Sequence, residues 1–574
     1  MTGSDRLALD RLREDTRAAR VASVVVGVTT LSLLLTLLPA QGLTDDDDFY
    51  APAAKSYAGW LGDVVTQPTS AFTRASIDRA FKPNNEHPPV AKFAMGVAHA
   101  VFHRATGLLS DLDGARAGTS LLCALLCAVL VLLCWRPLGP LVALAAPVVL
   151  LSLPRFLFHS QVATLDVPVA AMVVFTTAAF FWGETNARAA WSSGIVFGLA
   201  MATKLNAPFA VFPATLYALV GRWRAFGFAR ARTTGTTRTS PGLIVPPIPR
   251  ALLAMAVIGP VVFLAVWPWM WFDTLPRLGA YFGFHLGHYP ILNLVDGEVY
   301  TKPHAPWHFA FTMAGAAMPL PVVVLGLVGA WRALRSVATL ARAARPDGAL
   351  PDVDEGERLR ALVVMQAAFA IGIVAFLPVP KYGGEKLFMP FFALFAVLAA
   401  DGARVVVESV RALAPRVQTT ATFAVVVVLA VIPGVKGSAD TFGGYGLSYF
   451  SETVGGIRRM VAKGYERTYY DIADKPLARA LDALLVDEKP SELRVRFEPN
   501  HKEYARTYRW LANTGVISRR VKLVGDVKKA DVVVLTHERR WAQYPGLLEE
   551  FSSFEVLHEK RIDGVPLYTV YRVR

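Results

Sequence analysis

Cysteine is nearly absent from this chain of 574 residues: three are present, Cys123, Cys127 and Cys134, all in one apolar run. That excludes a disulfide-stapled scaffold and supplies no Cys-x-x-Cys metal spacing. Charge is scarce as well, at 18% of residues against 54% hydrophobic. A soluble chain of this length carries more charge and shorter apolar runs. No repeat relates one half of the chain to the other, and no glycine-rich phosphate loop occurs in its C-terminal part. The net charge of +14 invites a nucleic-acid partner. The arginines instead lie in short loops between apolar runs, the pattern of cytoplasmic loops in membrane proteins, so no nucleic acid is expected.

What is present is a series of apolar runs of about 20 residues, the length of a membrane-crossing helix. Residues 1–20 carry five arginines (Arg6, Arg11, Arg13, Arg17, Arg20) and are expected to be cytoplasmic. The first span is Val21–Pro39; Leu38-Pro39-Ala40-Gln41 is a poor cleavage site, so the span is read as uncleaved. Further spans are expected at Ala117–Trp135, Gly139–Phe158 and Val162–Gly183. Ala190–Val220 is flanked by arginines at both ends, so it must go out and return, turning at Thr203–Pro208. Ala251–Phe272, Phe309–Trp331, Ala361–Leu377, Leu387–Ala400 and Thr419–Pro433 complete about eleven crossings, with the N-terminus inside and the C-terminus outside. The expected domains are a cytoplasmic N-terminus at 1–20, a transmembrane domain at 21–436 with an outer loop at 40–116, and a soluble α/β domain at 437–574. The last shows strand-like stretches at 493–498, 530–535 and 566–573 between helical ones at 475–485 and 503–514. In the outer loop, helices are expected at Tyr50–Leu61 and Pro88–Arg104, the second lying along the membrane surface.

This topology gathers ionisable residues at the outer ends of the spans. They include Asp45–Asp48, "NNEHPPVAK" (Asn84–Lys92), "FHSQVATLD" (Phe158–Asp166), "TKLN" (Thr203–Asn206), "FHLGHYP" (Phe284–Pro290), "KPHAPWH" (Lys302–His308) and "KYGGEK" (Lys381–Lys386). Such groups beside hydrocarbon need partners or a task. Transfer of a sugar from a lipid-linked phosphate uses this mixture. A carboxylate takes the proton of an acceptor hydroxyl, and cations stabilise the departing phosphate. Asp45-x-Asp47 imitates the metal-binding spacing of nucleotide-sugar enzymes, but its expected side of the membrane opposes that role.

Three motifs resemble those of the GT-C membrane glycosyltransferases, chiefly the protein O-mannosyltransferase-like group and more distantly the lipid A aminoarabinose transferases. Asp46 and Asp47 stand before Tyr50 just after the first span, like the family's acidic pair. "EHPPVAK" (Glu86–Lys92) is similar to its His-Pro-Pro-Leu-x-Lys, and "ATLDVP" (Ala163–Pro168) to its Leu-Asp at the fourth span. Weaker matches are Lys381–Phe395 and Tyr449–Met460. The resemblance runs over residues 20–460. It implies a polytopic α-helical fold with a C-terminal extracytoplasmic α/β domain, a polyprenyl-phosphate sugar donor and direct displacement with inversion. The acceptor stays open among protein, lipid and glycan, and a divalent metal is possible. Asp46 or Asp47 is the implied base; with four aspartates in a row, either register fits. Glu86, His87, Lys92, Asp166, Lys381 and Lys386 are the implied substrate or phosphate contacts. Relatives often carry an arginine before the aspartate, where Gln161 stands here.

Each of these residues also has a plainer reading. The acidic run serves as a solvated loop, the prolines as a helix start, and Asp166 as an N-terminal helix charge. Lys204 serves equally as a lysine snorkelling to the interface. His285, His288, His304 and His308 fit no strong metal motif, and Trp267, Trp269 and Trp271 suit an aromatic belt. A transporter, a lipid flippase and a scaffold built on the outer domain are the rival functions.

Overall fold

The computed structural model describes residues 3–573 except 230–231, 235–236, 240–241, 288–290, 302–304, 471–474, 488–490, 500, 514–515, 538–543 and 545. Every expected crossing overlaps a helix, although Gly139–Phe158 is broken into Pro140–Leu151 and Pro154–His159, Val162–Gly183 is helical only from Asp166, and Ala251–Phe272 is α-helical only to Ala265. Among the described residues seven helices are long and apolar enough to cross a bilayer: Asp15–Ala40, Asp111–Leu138, Asp166–Gly183, Leu320–Arg342, Glu355–Phe376, Lys386–Leu413 and Thr419–Asp440. Pro140–Leu151, Ala187–Met201, Val211–Arg222 and Arg250–Ala265 are shorter. The outward faces are apolar, as hydrocarbon requires: Val24 and Val28 on the first helix and Leu429 and Ile432 on the last apolar helix are exposed. Small residues bring the inner helices together. A Cβ on Gly329 would meet the Leu398 carbonyl oxygen at 1.8 Å, and one on Gly402 the Leu325 oxygen at 1.9 Å. The two backbones therefore touch where neither residue has a side chain.

Three further expected elements are revised. The span Phe309–Trp331 is two helices, His308–Ala317 and Leu320–Arg342, because Pro319 has no backbone N–H with which to continue the first segment's hydrogen bonds. The helix Pro88–Arg104 is α-helical over Val90–His99 and becomes a π-helical turn over Ala100–Ala105. Trp267 is not in an aromatic belt: it is fully buried with Phe263, Met270 and Tyr281. The turn within Ala190–Val220 falls where expected, between Met201 and Ala207.

Buried ion pairs mark both ends of the bundle. At one end Glu184 pairs with Arg358 at 3.3 Å, and Asp401 with Arg360 at 2.9 Å and Arg404 at 2.5 Å. Trp135 donates to Asp15 at 2.8 Å, so the N-terminal helix enters at this end. Helix Asp166–Gly183 runs from Glu184's neighbour to the opposite end. Its 18 residues span about 27 Å, close to the thickness of a hydrocarbon core.

The C-terminal part holds a five-stranded sheet in the order Val556–Ile562, Val565–Arg572, Val532–Thr536, Leu493–Glu498, Val521–Leu523. Its first three strands pair antiparallel and its last three parallel. Tyr504 and Tyr508 of helix His501–Asn513 pack on Phe497, with ring centroids 4.9 and 4.6 Å apart. Helix Thr419–Asp440 continues past the expected boundary at 437. The following segment carries Leu447, Tyr469 and Tyr470 onto Phe158 and Val162 of the bundle.

Candidate active site

The acidic run opens helix Asp45–Thr66. Four carboxylates in a first turn face the positive end of the helix dipole. Thr44 and Asp47 close a capping box: the Thr44 hydroxyl accepts from the Asp47 backbone at 3.3 Å, and Asp47 accepts from the Thr44 backbone at 3.0 Å. This box fixes the register and sends neighbouring aspartates into different surroundings.

Asp47 is enclosed. Arg116 grips it with two nitrogens, Nε at 3.0 Å and Nη2 at 2.6 Å, and the Ala163 backbone and Thr44 hydroxyl donate at 2.8 and 2.9 Å. Neither the Asp47 nor the Arg116 side chain is exposed at all. Arg116 is further held by Asp113 and by the Gln41 and Gly42 carbonyls. A carboxylate so fully engaged ties the outer loop to the 111–138 helix and has no lone pair left for a substrate.

Asp46 is reachable. It accepts from Lys386 Nζ at 3.0 Å on both oxygens, from the Tyr470 hydroxyl at 2.7 Å and from the Thr164 hydroxyl at 2.8 Å. The same Thr164 hydroxyl lies 2.9 Å from Asp166, whose other oxygen holds Lys204 at 2.5 Å. Two carboxylates and two ammonium groups thus alternate around one threonine and one tyrosine. The side chains of Asp46, Lys204 and Lys386 keep 11–13% exposure, whereas Asp166 has none. A ligand approaching the site touches those three first. Burial together with Asp46 and Asp166 pushes the Tyr470 hydroxyl well above its usual range, so it remains a donor.

A second network supports the first. Glu385 is fully buried, bonded to Arg155 at 2.8 Å and to the Tyr469 hydroxyl at 3.0 Å. His159 Nε2 lies 2.6 Å from the Tyr469 hydroxyl, while its Nδ1, 3.4 Å from Asp166, makes no hydrogen bond among the described residues, so the imidazole stands between the two networks without bonding to the first. Arg155 also donates to the Tyr449 carbonyl at 2.8 Å.

The remaining residues singled out from sequence fall in several places. Lys92 is fully buried, and its amine donates to the Asn84 and His87 carbonyls at 2.6 and 2.7 Å, the Asn84 side chain at 3.0 Å and Tyr57 at 3.0 Å. It shapes the 84–87 turn and does not reach Asp46; burial lowers its pKa well below the ordinary value, against Glu86. Glu86 accepts from Asn84 at 2.9 Å, and its carbonyl oxygen lies 3.0 Å from His285. His87 packs against Tyr50 and His285, with centroids 5.8 and 5.3 Å away, and its buried Nδ1 has no hydrogen-bond partner among the described residues. Burial first, then Lys92, His285, Lys204 and Lys386, hold it well below the usual imidazole range. Lys381 bonds the Leu377 carbonyl at 3.2 Å, capping a helix end, and burial lowers its pKa. Lys204 points inward to Asp166. Gln161 is buried and accepts from Gln41 at 2.7 Å, closing the end of the first span. His308 lies 3.7 Å from Asp296, and His288 and His304 lie outside the described residues.

Sequence reasoning passed over Arg116, Thr164, Arg155, His159, Glu385, Tyr469 and Tyr470 as site residues. Glu385 and His159 lay inside quoted outer-rim segments; the two tyrosines, far along the chain, gave no signal.

Residues 86–231 match the family model described as dolichyl-phosphate-mannose-protein mannosyltransferase. Solved structures with an overall likeness include apo ArnT from Cupriavidus metallidurans, 16% identical over 96% of this chain and 97% of that one, TM-score 0.45. ArnT from the same organism bound to undecaprenyl phosphate is 16% identical over the same shares, TM-score 0.43. The oligosaccharyltransferase AglB from Archaeoglobus fulgidus, in complex with an inhibitory peptide and a dolichol-phosphate, is 12% identical over 90% and 69%, TM-score 0.43. Among curated protein sequences none matches.

Proposed function

We propose that this chain is an integral-membrane glycosyltransferase that moves a sugar from a polyprenyl-phosphate carrier to an acceptor hydroxyl at the outer membrane face. The observation that carries the reading is the largely buried but still reachable trio Asp46, Lys204 and Lys386 at one end of the helical bundle. A lipid phosphate lies at that depth when its tail is in the bilayer. The 86–231 match to a lipid-phosphate-mannose-dependent family supports the same chemistry. The arginine-paired end is cytoplasmic by the distribution of arginines; the N-terminus lies there, and the 437–574 domain lies outside.

In the free protein Lys386 neutralises Asp46. An arriving phosphate competes for Lys386 and Lys204 and so frees Asp46. The acceptor oxygen attacks the anomeric carbon, its proton passes to Asp46, and the bond to the phosphate oxygen breaks with the electron pair going to the carrier. The lysines stabilise that charge, and the anomeric configuration inverts. Asp166 holds Lys204, Thr164 and Tyr470 orient Asp46, and Asp47 with Arg116 secures the helix that presents it.

A transporter would concentrate buried polar groups at the bilayer midplane; here the ion pairs gather at the two ends. A scaffold would not need two carboxylates and two lysines interleaved around the Tyr470 hydroxyl. The test incubates membranes containing the protein with a panel of radiolabelled polyprenyl-phosphate sugars. Label passing to a protein, lipid or glycan fraction, lost in Asp46→Asn, is the expected result. Label that stays on the carrier with every donor would overturn the reading.

A further inference from the structure

We propose that His99, His103 and Asp111 bind a first-row divalent cation of the zinc class at a site separate from Asp46. The three ligand atoms lie within 4.8 Å of one another. His99 Nε2 is 2.9 Å and His103 Nε2 3.9 Å from Asp111 Oδ1. Tetrahedral ligands on zinc are about 3.3 Å apart, so small side-chain movements of opposite sign complete the shell.

The residues are already aimed. His103 Nδ1 lies 2.9 Å from the Leu109 carbonyl, which places the proton on Nδ1 and leaves the Nε2 lone pair facing Asp111. Lys55 holds Asp111 Oδ2 at 2.7 Å, leaving Oδ1 toward the imidazoles. The two rings sit 5.0 Å apart at 34°, one on the last α-helical turn and one in the π-helical turn Ala100–Ala105. Such π-turns recur at functional sites. A Cβ on Gly114 would lie 2.9 Å from His103 Cβ and 3.4 Å from the His99 ring, so this glycine lets the 111–138 helix approach both.

His99 is buried, while the side chains of His103 and Asp111 are 36% and 33% exposed, open to the cation and to a water as fourth ligand. Two imidazoles with one carboxylate suit zinc, iron, cobalt or nickel and not magnesium or calcium. On binding, the cation replaces the His99 Nε2 proton, which moves to Nδ1 or to solvent. The bound ion ties the 90–105 segment to the 111–138 helix. Because none of these residues touches the Asp46 site, the outcome is independent of the proposed transfer reaction.

The full chain, purified in detergent, is stripped with chelator, dialysed against Zn2+ or Co2+, and assayed for metal content and Co2+ d–d absorption. About one ion per chain is expected for the native sequence and below about 0.1 for His103→Ala and Asp111→Asn. His103→Cys restores a ligand, so it regains the ion and adds a sulfur-to-cobalt charge-transfer band that only direct coordination produces. A native protein that retains no ion, an unchanged content in His103→Ala, or a His103→Cys protein that holds cobalt without that band would each overturn the site.

Discussion

Asp46→Asn and Asp47→Asn change neighbouring residues in the same way, yet the structure separates their consequences. Asp46→Asn keeps the volume and, through the amide carbonyl oxygen, the bonds from Tyr470 and Thr164; it loses proton affinity and the Lys386 ion pair. Removing a general base lowers turnover about 100- to 10,000-fold, which is about 3–5 kcal/mol in the barrier at about 1.36 per factor of ten. The stability loss is smaller, about 1–3 kcal/mol for hydrogen bonds to a charged group, because both partners are partly solvated. Asp47→Asn instead takes the two-pronged carboxylate from the buried Arg116, leaving it an amide oxygen and Asp113 at 3.3 Å. Breaking a buried pair costs about 3–5 kcal/mol, a large share of a typical folding free energy of about 5–15 kcal/mol. Asp46→Asn should therefore yield a normal monodisperse peak in detergent with almost no sugar transfer per mole. Asp47→Asn should yield little folded protein, with near-normal transfer per mole of what remains. The assay divides transferred label by the folded peak from size exclusion. Above a tenth of native transfer in Asp46→Asn, or well-folded and inactive Asp47→Asn, would refute the assignment.

Lys386→Met should raise the KM for the lipid donor about tenfold to a hundredfold, the equivalent of one charge-assisted bond, with partial recovery in Lys386→Arg; an unchanged KM would mean that Lys386 serves only Asp46. Gly384 has φ +55°, and a Cβ there would lie 2.6 Å from the Tyr469 ring, so Gly384→Ala should displace Tyr469 from Glu385 and lower thermal stability by about 1–3 kcal/mol, read from the melting curve in detergent. In the C-terminal domain, burial, aided by Arg467 and Arg561, lowers the His537 pKa from 6.5 to about 3. The unfolded chain then binds the extra proton between those two values, so stability is full above the upper one and falls as pH drops, by about 1.4 kcal/mol per unit. Proteolysis of the domain in the full chain should accelerate over that range, and His537→Gln should flatten the slope.

The transmembrane helices and three of the five strands of the C-terminal sheet were legible because each depends on local pattern: apolar length for a span, alternation for a strand; Val521–Leu523 and Val556–Ile562, one three residues long and the other charged and half-exposed, carried no such pattern. The gathering of acids and lysines at one end of the bundle was legible for the same reason, since such groups beside hydrocarbon stand out in any sequence. Which aspartate faces the cleft was not. Asp46 and Asp47 are chemically identical neighbours, and their difference comes from Arg116 and Ala163 closing on one while Lys386 and Tyr470 reach the other. Lys386 is 340 and Tyr470 424 positions from Asp46, and no local signal encodes a pairing across that distance. Lys92 shows the converse: its motif suggested a phosphate contact, yet four acceptors within its own neighbourhood consume its donors.

By itself, then, the sequence determined that the chain lives in a membrane and which end of each span carries charge, because the transfer free energy of a side chain depends on its own chemistry. Only the tertiary structure decided which charges are spent on one another and which stay within reach of a substrate, because that depends on the few ångströms between groups brought together by helices distant in the chain.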